Sequence, residues 1–364
     1  MRILFGPEQD GLHIAPDAPG GYEWWYFDAL SDDGKYALVV IFFLGAPMSP
    51  YYRAVVDSRG FGRTPPSPND WCAVFVSLHE IPPPSVVFTT NPHGARKRRS
   101  AEERAYAYNL YRDGRFAADG SEIVIGDSRM CRTVNDGWRL SLTERCLWFG
   151  RITADIEFAP TGDPIAGDPF GRDDDHTWVC VAPHCRVTAS VRTADGQTID
   201  FPADGYHDHN FGTLPWAGGE DAGWFWARGH LSGENGERTT AIVYTHTGEP
   251  ERFLLTHRAG SPIRITDAAR SAVTVTYRNP YGLDYRLSER FEQPESGEVF
   301  VLRCNAFGDL LRGPFYGRWV VEISGTDEKG APLQGKGIAE AFRPSRLCHP
   351  IWSRLMRTRF RRRS

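Results

Sequence analysis

The sequence has no surplus of positive charge: 42 Lys and Arg stand against 46 Asp and Glu, a formal net charge of -4. A chain built to neutralise nucleic-acid phosphates needs a basic excess, so no nucleic-acid partner is expected. It lacks paired cysteines. The seven, Cys72, Cys131, Cys146, Cys180, Cys185, Cys304 and Cys348, are odd in number, irregularly spaced and never in a CxxC. That speaks against a disulfide framework or a cysteine zinc site, and for free thiols in a reducing, cytoplasmic setting. It has no long apolar run. The longest, Tyr36 to Pro47, falls well short of the ~20 residues of a membrane-spanning helix. Residues Met1 to Asp10 show no charged stretch followed by an apolar one, so no secretory leader is expected. A GxSxG elbow, a phosphate-binding glycine loop and a dinucleotide fingerprint are all absent, which argues against the enzyme classes that depend on them.

What the chain does have is rings and turn formers. Aromatic residues make up 13% of its 364 residues, with eleven Trp, alongside 37 Gly and 26 Pro. Many aromatics among many turns predict β-strands joined by hairpins. Ser31-Asp32-Asp33-Gly34 separates Tyr22–Leu30 from Tyr36–Leu44, and Arg112-Asp113-Gly114-Arg115 supplies a second turn. Short strand-like segments continue at regular spacing to Phe342, without amphipathic helices between them. That pattern predicts an all-β fold of antiparallel sandwich or barrel domains. Ala203-Asp204-Gly205 reads as a soft boundary, giving domains 1–202 and 203–364, each long enough for its own core. The one helix expected is terminal, Pro350–Arg363. Trp352, Leu355, Met356 and Phe360 share its apolar face and six arginines supply charge. Such a segment either rests on an anionic membrane surface or forms a solvated tail.

Three clusters could carry chemistry. The first is Gly20–Asp28. In a strand, Glu23, Trp25 and Phe27 take one face and Tyr22, Trp24, Tyr26 and Asp28 the other. A Glu inside such a run is either hydrogen-bonded or functional. The second is Gly205–Gly212, GYHDHNFG. Extended, it turns Tyr206, Asp208 and Asn210 one way and His207 and His209 the other. It reads as a hydrogen-bonded loop, as a metal site chelated by His207 and His209, or as a general acid. In the last reading an apolar, aromatic surround keeps Asp208 protonated while Tyr206, Asn210 and a His position it. The third cluster is Gly223–Arg228, where Trp224, Trp226 and Arg228 share a face. These indoles either pack a core or line a pocket that stabilises a cation. The run Asp173-Asp174-Asp175-His176 reads as a solvated loop.

In this order the segments resemble one family. The matching stretches are GYEWWYFDALSDDG (21–34), FLGAPMSPYY (43–52), NDWCAVFVSL (69–78), WVCVAPHCR (178–186), GYHDHNFG (205–212), WFWAR (224–228) and PFYGR (314–318), with Glu340 ahead of Arg343-Pro344. Together they resemble the carotenoid 1,2-hydratase family, also called hydroxyneurosporene synthase. The resemblance implies two lipocalin-like β domains and no organic cofactor or metal. It also implies addition of water to the terminal trisubstituted double bond of acyclic carotenoids such as neurosporene and lycopene. Asp208 is then the expected proton donor, assisted by Tyr206, Asn210, His207 and His209. Glu23, Trp24, Trp25, Tyr26, Trp224, Trp226 and Arg228 are expected to contact the apolar substrate. The same scaffold is similar to pericyclic and terpene-type cyclases, and a carrier that holds a lipophile unchanged is the non-enzymatic alternative.

Overall fold

The computed structural model describes residues 1–81, 88–90, 96–98, 101–146, 150–162, 164–171, 175–216, 223–233, 236, 238–246, 252–258, 263–266, 270–278, 281–292, 299–326, 330–349 and 359–360. Strands dominate, as the sequence predicts. The chain divides into two compact units. The first comprises Met1–His79, Glu103–Ala217 and Leu347–Ser364; the second comprises Glu80–Glu102 and Gly218–Arg346. The divide therefore does not fall at 202/203. That position lies inside an unbroken strand, Thr198–Thr213. Gly205 is there for close approach rather than for a turn: a Cβ on it would meet Val187 Cγ2 at 2.4 Å.

The long sheet of the first unit has a simple order. Along it run Glu102–Tyr111, Cys72–Glu80, Tyr36–Leu44, Gly21–Ser31, Thr198–Thr213, His176–Arg192, Arg151–Pro160, Trp138–Arg145, Ser128–Arg132 and Glu122–Ile125. From Tyr36–Leu44 to Glu122–Ile125 each neighbouring pair is antiparallel. The expected hairpin at Ser31–Gly34 is present, with Gly34 at φ 70° and its N–H donating to Ser31 O at 2.7 Å. Trp138–Arg145 and Arg151–Pro160 alternate buried and exposed residues, as a half-covered sheet requires. Gly21–Ser31 is buried at all eleven positions, so both of its faces are covered. One face, with Trp25, Phe27 and Ala29, enters the apolar core beside Trp138, Val179 and Phe158.

His176–Arg192 is one strand of 17 residues, and its register shifts around Ala182 and Cys185, on either side of Pro183. Proline there produces an irregularity rather than an end. A helix that composition did not suggest covers Pro50–Gly60. Ser49 caps it, its Oγ accepting the Tyr51 N–H at 3.2 Å, and Pro50 opens it. It buries Tyr51, Tyr52 and Val55. The expected terminal helix at 350–363 lies outside the described residues apart from Arg359–Phe360. Those two residues pair in parallel with Asn109 and Leu110.

The second unit carries a nine-stranded sheet: Arg264–Thr266, Arg252–Arg258, Arg238–His246, Trp224–Gly233, Pro332–Phe342, Tyr316–Thr326, Val299–Arg312, Asp284–Glu292 and Arg270–Arg278. Neighbours along it are antiparallel. Phe225, Ala227, Val243, Trp319, Val321 and Ala339 form part of its apolar core.

Candidate active site

Three adjacent strands of the first unit, Gly21–Ser31, Thr198–Thr213 and His176–Arg192, set the site as a grid. Asp208 lies between Tyr26 and Cys180, Asn210 between Trp24 and Trp178, and Gly212 between Tyr22 and His176. Residues directly opposite on antiparallel strands share a face. Tyr22, Trp24, Tyr26, Asp28, Tyr206, Asp208, Asn210, Trp178 and His176 therefore belong to one side of the sheet. Gly212 is required where the strands crowd, since a Cβ there would meet Asp175 O at 1.9 Å and Tyr22 Oη at 2.8 Å.

Asp208 is the hub of that face. Tyr206 Oη donates to its Oδ2 at 2.9 Å and Trp178 Nε1 donates to the same oxygen at 3.1 Å. Asn210 Nδ2 donates to Oδ1 at 2.8 Å. Burial pushes Tyr206 well above the ordinary tyrosine range, so it stays a phenol and a donor. Cys180 beside Asp208 is likewise held as a thiol by burial, which removes it as a nucleophile. Aromatic rings surround the hub. Trp24 stacks with Tyr22 at 5.3 Å and His176 at 5.7 Å, and Phe43 lies 6.2 Å from Trp24. The Tyr22 hydroxyl is 2.6 Å from His176 Nδ1 and accepts from Trp216 Nε1 at 2.7 Å.

The opposite face holds a different network, and it corrects part of the sequence reading. His207 and His209 do not reach Asp208. His207 contacts Tyr26 O at 2.9 Å and Asp10 Oδ1 at 3.1 Å, and stacks on Phe27 at 3.9 Å. His209 Nε2 donates to Glu23 Oε1 at 2.7 Å, and its Nδ1 is 3.4 Å from Asp10 Oδ1. Glu23 Oε2 also accepts the Ile14 N–H at 2.9 Å, and Oε1 the His13 N–H at 2.9 Å. Trp138 Nε1 donates to Asp10 Oδ2 at 2.8 Å. Trp25 stacks on His209 at 4.5 Å. Burial alone would raise Asp10, but the charges and hydrogen bonds of His207 and His209 hold it well below the usual carboxylate range. Burial alone would lower His209, but hydrogen bonds to Asp10 and Glu23 push it up to about 9. Glu23 and His209 are thus a buried ion pair, with Trp25 and His207 on the same face, each of the four 0% exposed. Period-2 alternation separates them from Asp208, and this is why they cannot orient it.

Donor atoms of His13, Glu23 and His209 lie within 4.8 Å of one another, the one such grouping among the described residues. The Glu23 oxygens already accept two backbone N–H groups and the His209 imidazole. That donor set is satisfied as a salt bridge and does not fit an open metal cage.

Trp224, Trp226 and Arg228 fall in the second unit, where Trp226 and Arg318 flank Glu340 on adjacent strands. Trp224 Nε1 donates to Glu340 Oε1 at 3.2 Å, Tyr316 Oη donates to Oε2, and Arg318 lies 3.4 Å away. Arg228 is fully buried.

Sequence reasoning missed three contributors. Trp178 stood in a motif but had no assigned role. His176 was taken for loop, whereas it opens a strand and is buried. Asp10 belongs to no motif, and only long-range folding brings it to His207.

The family model described as carotenoid hydratase CrtC matches residues 40–364. A hydroxyneurosporene dehydrogenase of Chlorobaculum tepidum is 28% identical, over 98% of this chain and 90% of the relative. An acyclic carotenoid 1,2-hydratase of Thiocapsa roseopersicina is 31% identical over 68% of this chain, and the match spans 56% of that relative's length. Among solved structures, an AttH protein of Nitrosomonas europaea superposes with a TM-score of 0.58 at 14% identity, covering 92% of this chain and 95% of the other. At that identity the match speaks for the lipocalin-like fold alone. With the family model covering most of its length, the chain belongs to the carotenoid hydratase CrtC family.

Proposed function

We propose that this protein adds water across the terminal trisubstituted double bond of an acyclic isoprenoid of the carotenoid type, with Asp208 as the proton donor. The observation that carries the reading is the Asp208 hub, a carboxyl group held by three side-chain donors on a face rich in aromatic rings. Protonation at the less substituted alkene carbon leaves a tertiary cation, for which the indole faces of Trp24 and Trp178 are suited neighbours. Charge appears on Asp208 as its proton leaves. Tyr206, Trp178 and Asn210 already point at the oxygens that receive it, so the transition state is stabilised more than the ground state. Water then captures the cation as a tertiary alcohol.

The test is incubation of the purified protein with lycopene or neurosporene. A product one water heavier is expected. Recovery of an isomer of unchanged mass would point to a cyclase, and recovery of the substrate itself to a carrier.

The reading extends to location. A lipid-dissolved substrate is met most easily by a cytoplasmic protein resting on the membrane, and the arginine-rich segment 354–363 supplies charge for an anionic surface. Truncation after Pro350 is expected to lower co-sedimentation with anionic liposomes; equal sedimentation would reject this role.

A further inference from the structure

A second carboxylate shares the face of Asp208. Asp28 lies opposite Tyr206, and Asp208 lies opposite Tyr26. Each tyrosine donates to the aspartate two residues along its own strand, Tyr26 Oη to Asp28 Oδ2 at 2.9 Å and Tyr206 Oη to Asp208 Oδ2 at 2.9 Å. The two phenol rings meet edge to face, 6.2 Å apart. Two Tyr–Asp pairs thus form a checkerboard across two strands, with the aspartates on one diagonal and the tyrosines on the other. Such a diagonal spans roughly 7–8 Å between strand positions. Paired-carboxylate hydrolases that activate a water hold their carboxyl groups about 6.5–9.5 Å apart, a span within reach of side chains on such diagonal positions.

Asp28 is 0% exposed, and its strand is otherwise apolar or aromatic on this face. Burying a carboxylate in such a strand costs free energy, so a use for it is to be sought. Water addition supplies one. When water captures a tertiary cation it becomes an oxonium ion, and on an aromatic face a fixed base is needed to take its proton.

Resting on the hydration reading, we propose that Asp28 is the second catalytic carboxylate of this site, the base that deprotonates the attacking water. The Asp208 O–H bond breaks, and the alkene π pair forms a C–H bond with that proton. The water oxygen forms the C–O bond, and one of its protons passes to the Asp28 carboxylate. Asp208 ends as the anion and Asp28 as the acid. Return of that proton from Asp28 to Asp208, by way of the tyrosine hydroxyl groups or a water, restores the starting state, and the net change is one water added.

The experiment compares the full-length wild type, Asp28→Asn, Asp28→Glu and Asp208→Asn with lycopene in deuterated buffer. Alcohol formation by Asp28→Asn is expected to fall by about 10²–10⁴-fold. Its Asp208 still forms and reverses the cation, so deuterium should continue to enter the terminal carbons of recovered lycopene. Asp28→Glu should regain part of the alcohol yield, and Asp208→Asn should lose both alcohol and exchange. Alcohol formation at the wild-type rate by Asp28→Asn would overturn the proposal. Loss of exchange together with alcohol in Asp28→Asn would also overturn it, because that marks a structural lesion. A wild type that gives neither alcohol nor exchange would instead remove the hydration reading itself, and the role of Asp28 with it.

Discussion

Asp208→Asn is expected to abolish water addition in a protein that still folds. The substitution keeps shape and volume but leaves no acid strong enough to protonate carbon. Loss of a positioned general acid lowers rate by about 10²–10⁴-fold, and an apolar alkene with no other activation places the effect at the upper end of that range. The structural cost is smaller. The introduced carboxamide would still accept through its oxygen. Its amide nitrogen would face one of the donors now served by the carboxylate, Tyr206, Trp178 or Asn210. One mismatched buried polar contact costs about 1–3 kcal/mol. Turnover and a thermal melt on the same preparation check both parts. A folded variant that still hydrates lycopene would remove Asp208 from the mechanism.

Glu23→Gln is expected to have the largest effect on stability and little to do with chemistry. Glu23 ties the His13–Ile14 segment to the sheet through two backbone N–H groups and pairs with His209 beneath the site. Breaking a fully buried ion pair by neutralising one partner costs about 3–5 kcal/mol. The pH dependence carries a definite sign. His209 is raised in the fold from 6.5 to about 9. Its contribution to stability is therefore complete below pH 6.5 and is lost as pH rises through about 9. The upward shift corresponds to about 3 kcal/mol. Melting temperature should accordingly decline across that window in the wild type, and less steeply in Glu23→Gln, where Asp10 still faces His209. A wild-type melting temperature that is flat across the window, or a variant as stable as the wild type, would contradict the buried ion pair.

These two outcomes separate what alternation makes legible from what it does not. Strand periodicity alone places Asp208, Tyr206 and Asn210 on one face and the two histidines on the other, and the structure keeps that division. The grouping of His207 and His209 with the catalytic acid ran against this periodicity, because polar density along the chain resembles a site even when the side chains point apart. Their true partner, Asp10, lies 197 residues from His207 in sequence and has no local signal. Trp178 is hidden in the same way, since its indole finds Asp208 only when two strands pair. Glycine misled where it serves packing: Gly205 reads as part of a boundary, yet it sits within the long strand Thr198–Thr213. The Pro50–Gly60 helix carried its signal in Ser49-Pro50, but at eleven residues it was masked by the strand-like aromatics around it.

The central claim is that the protein delivers a proton and then a water to one double bond. Reaction of the wild type with lycopene in deuterated, ¹⁸O-labelled water tests it most directly. The account predicts an alcohol carrying one deuterium on the protonated carbon and ¹⁸O on the adjacent tertiary carbon. Deuterium without ¹⁸O, in a product of ring-closed connectivity, or recovery of lycopene with neither label, would contradict it.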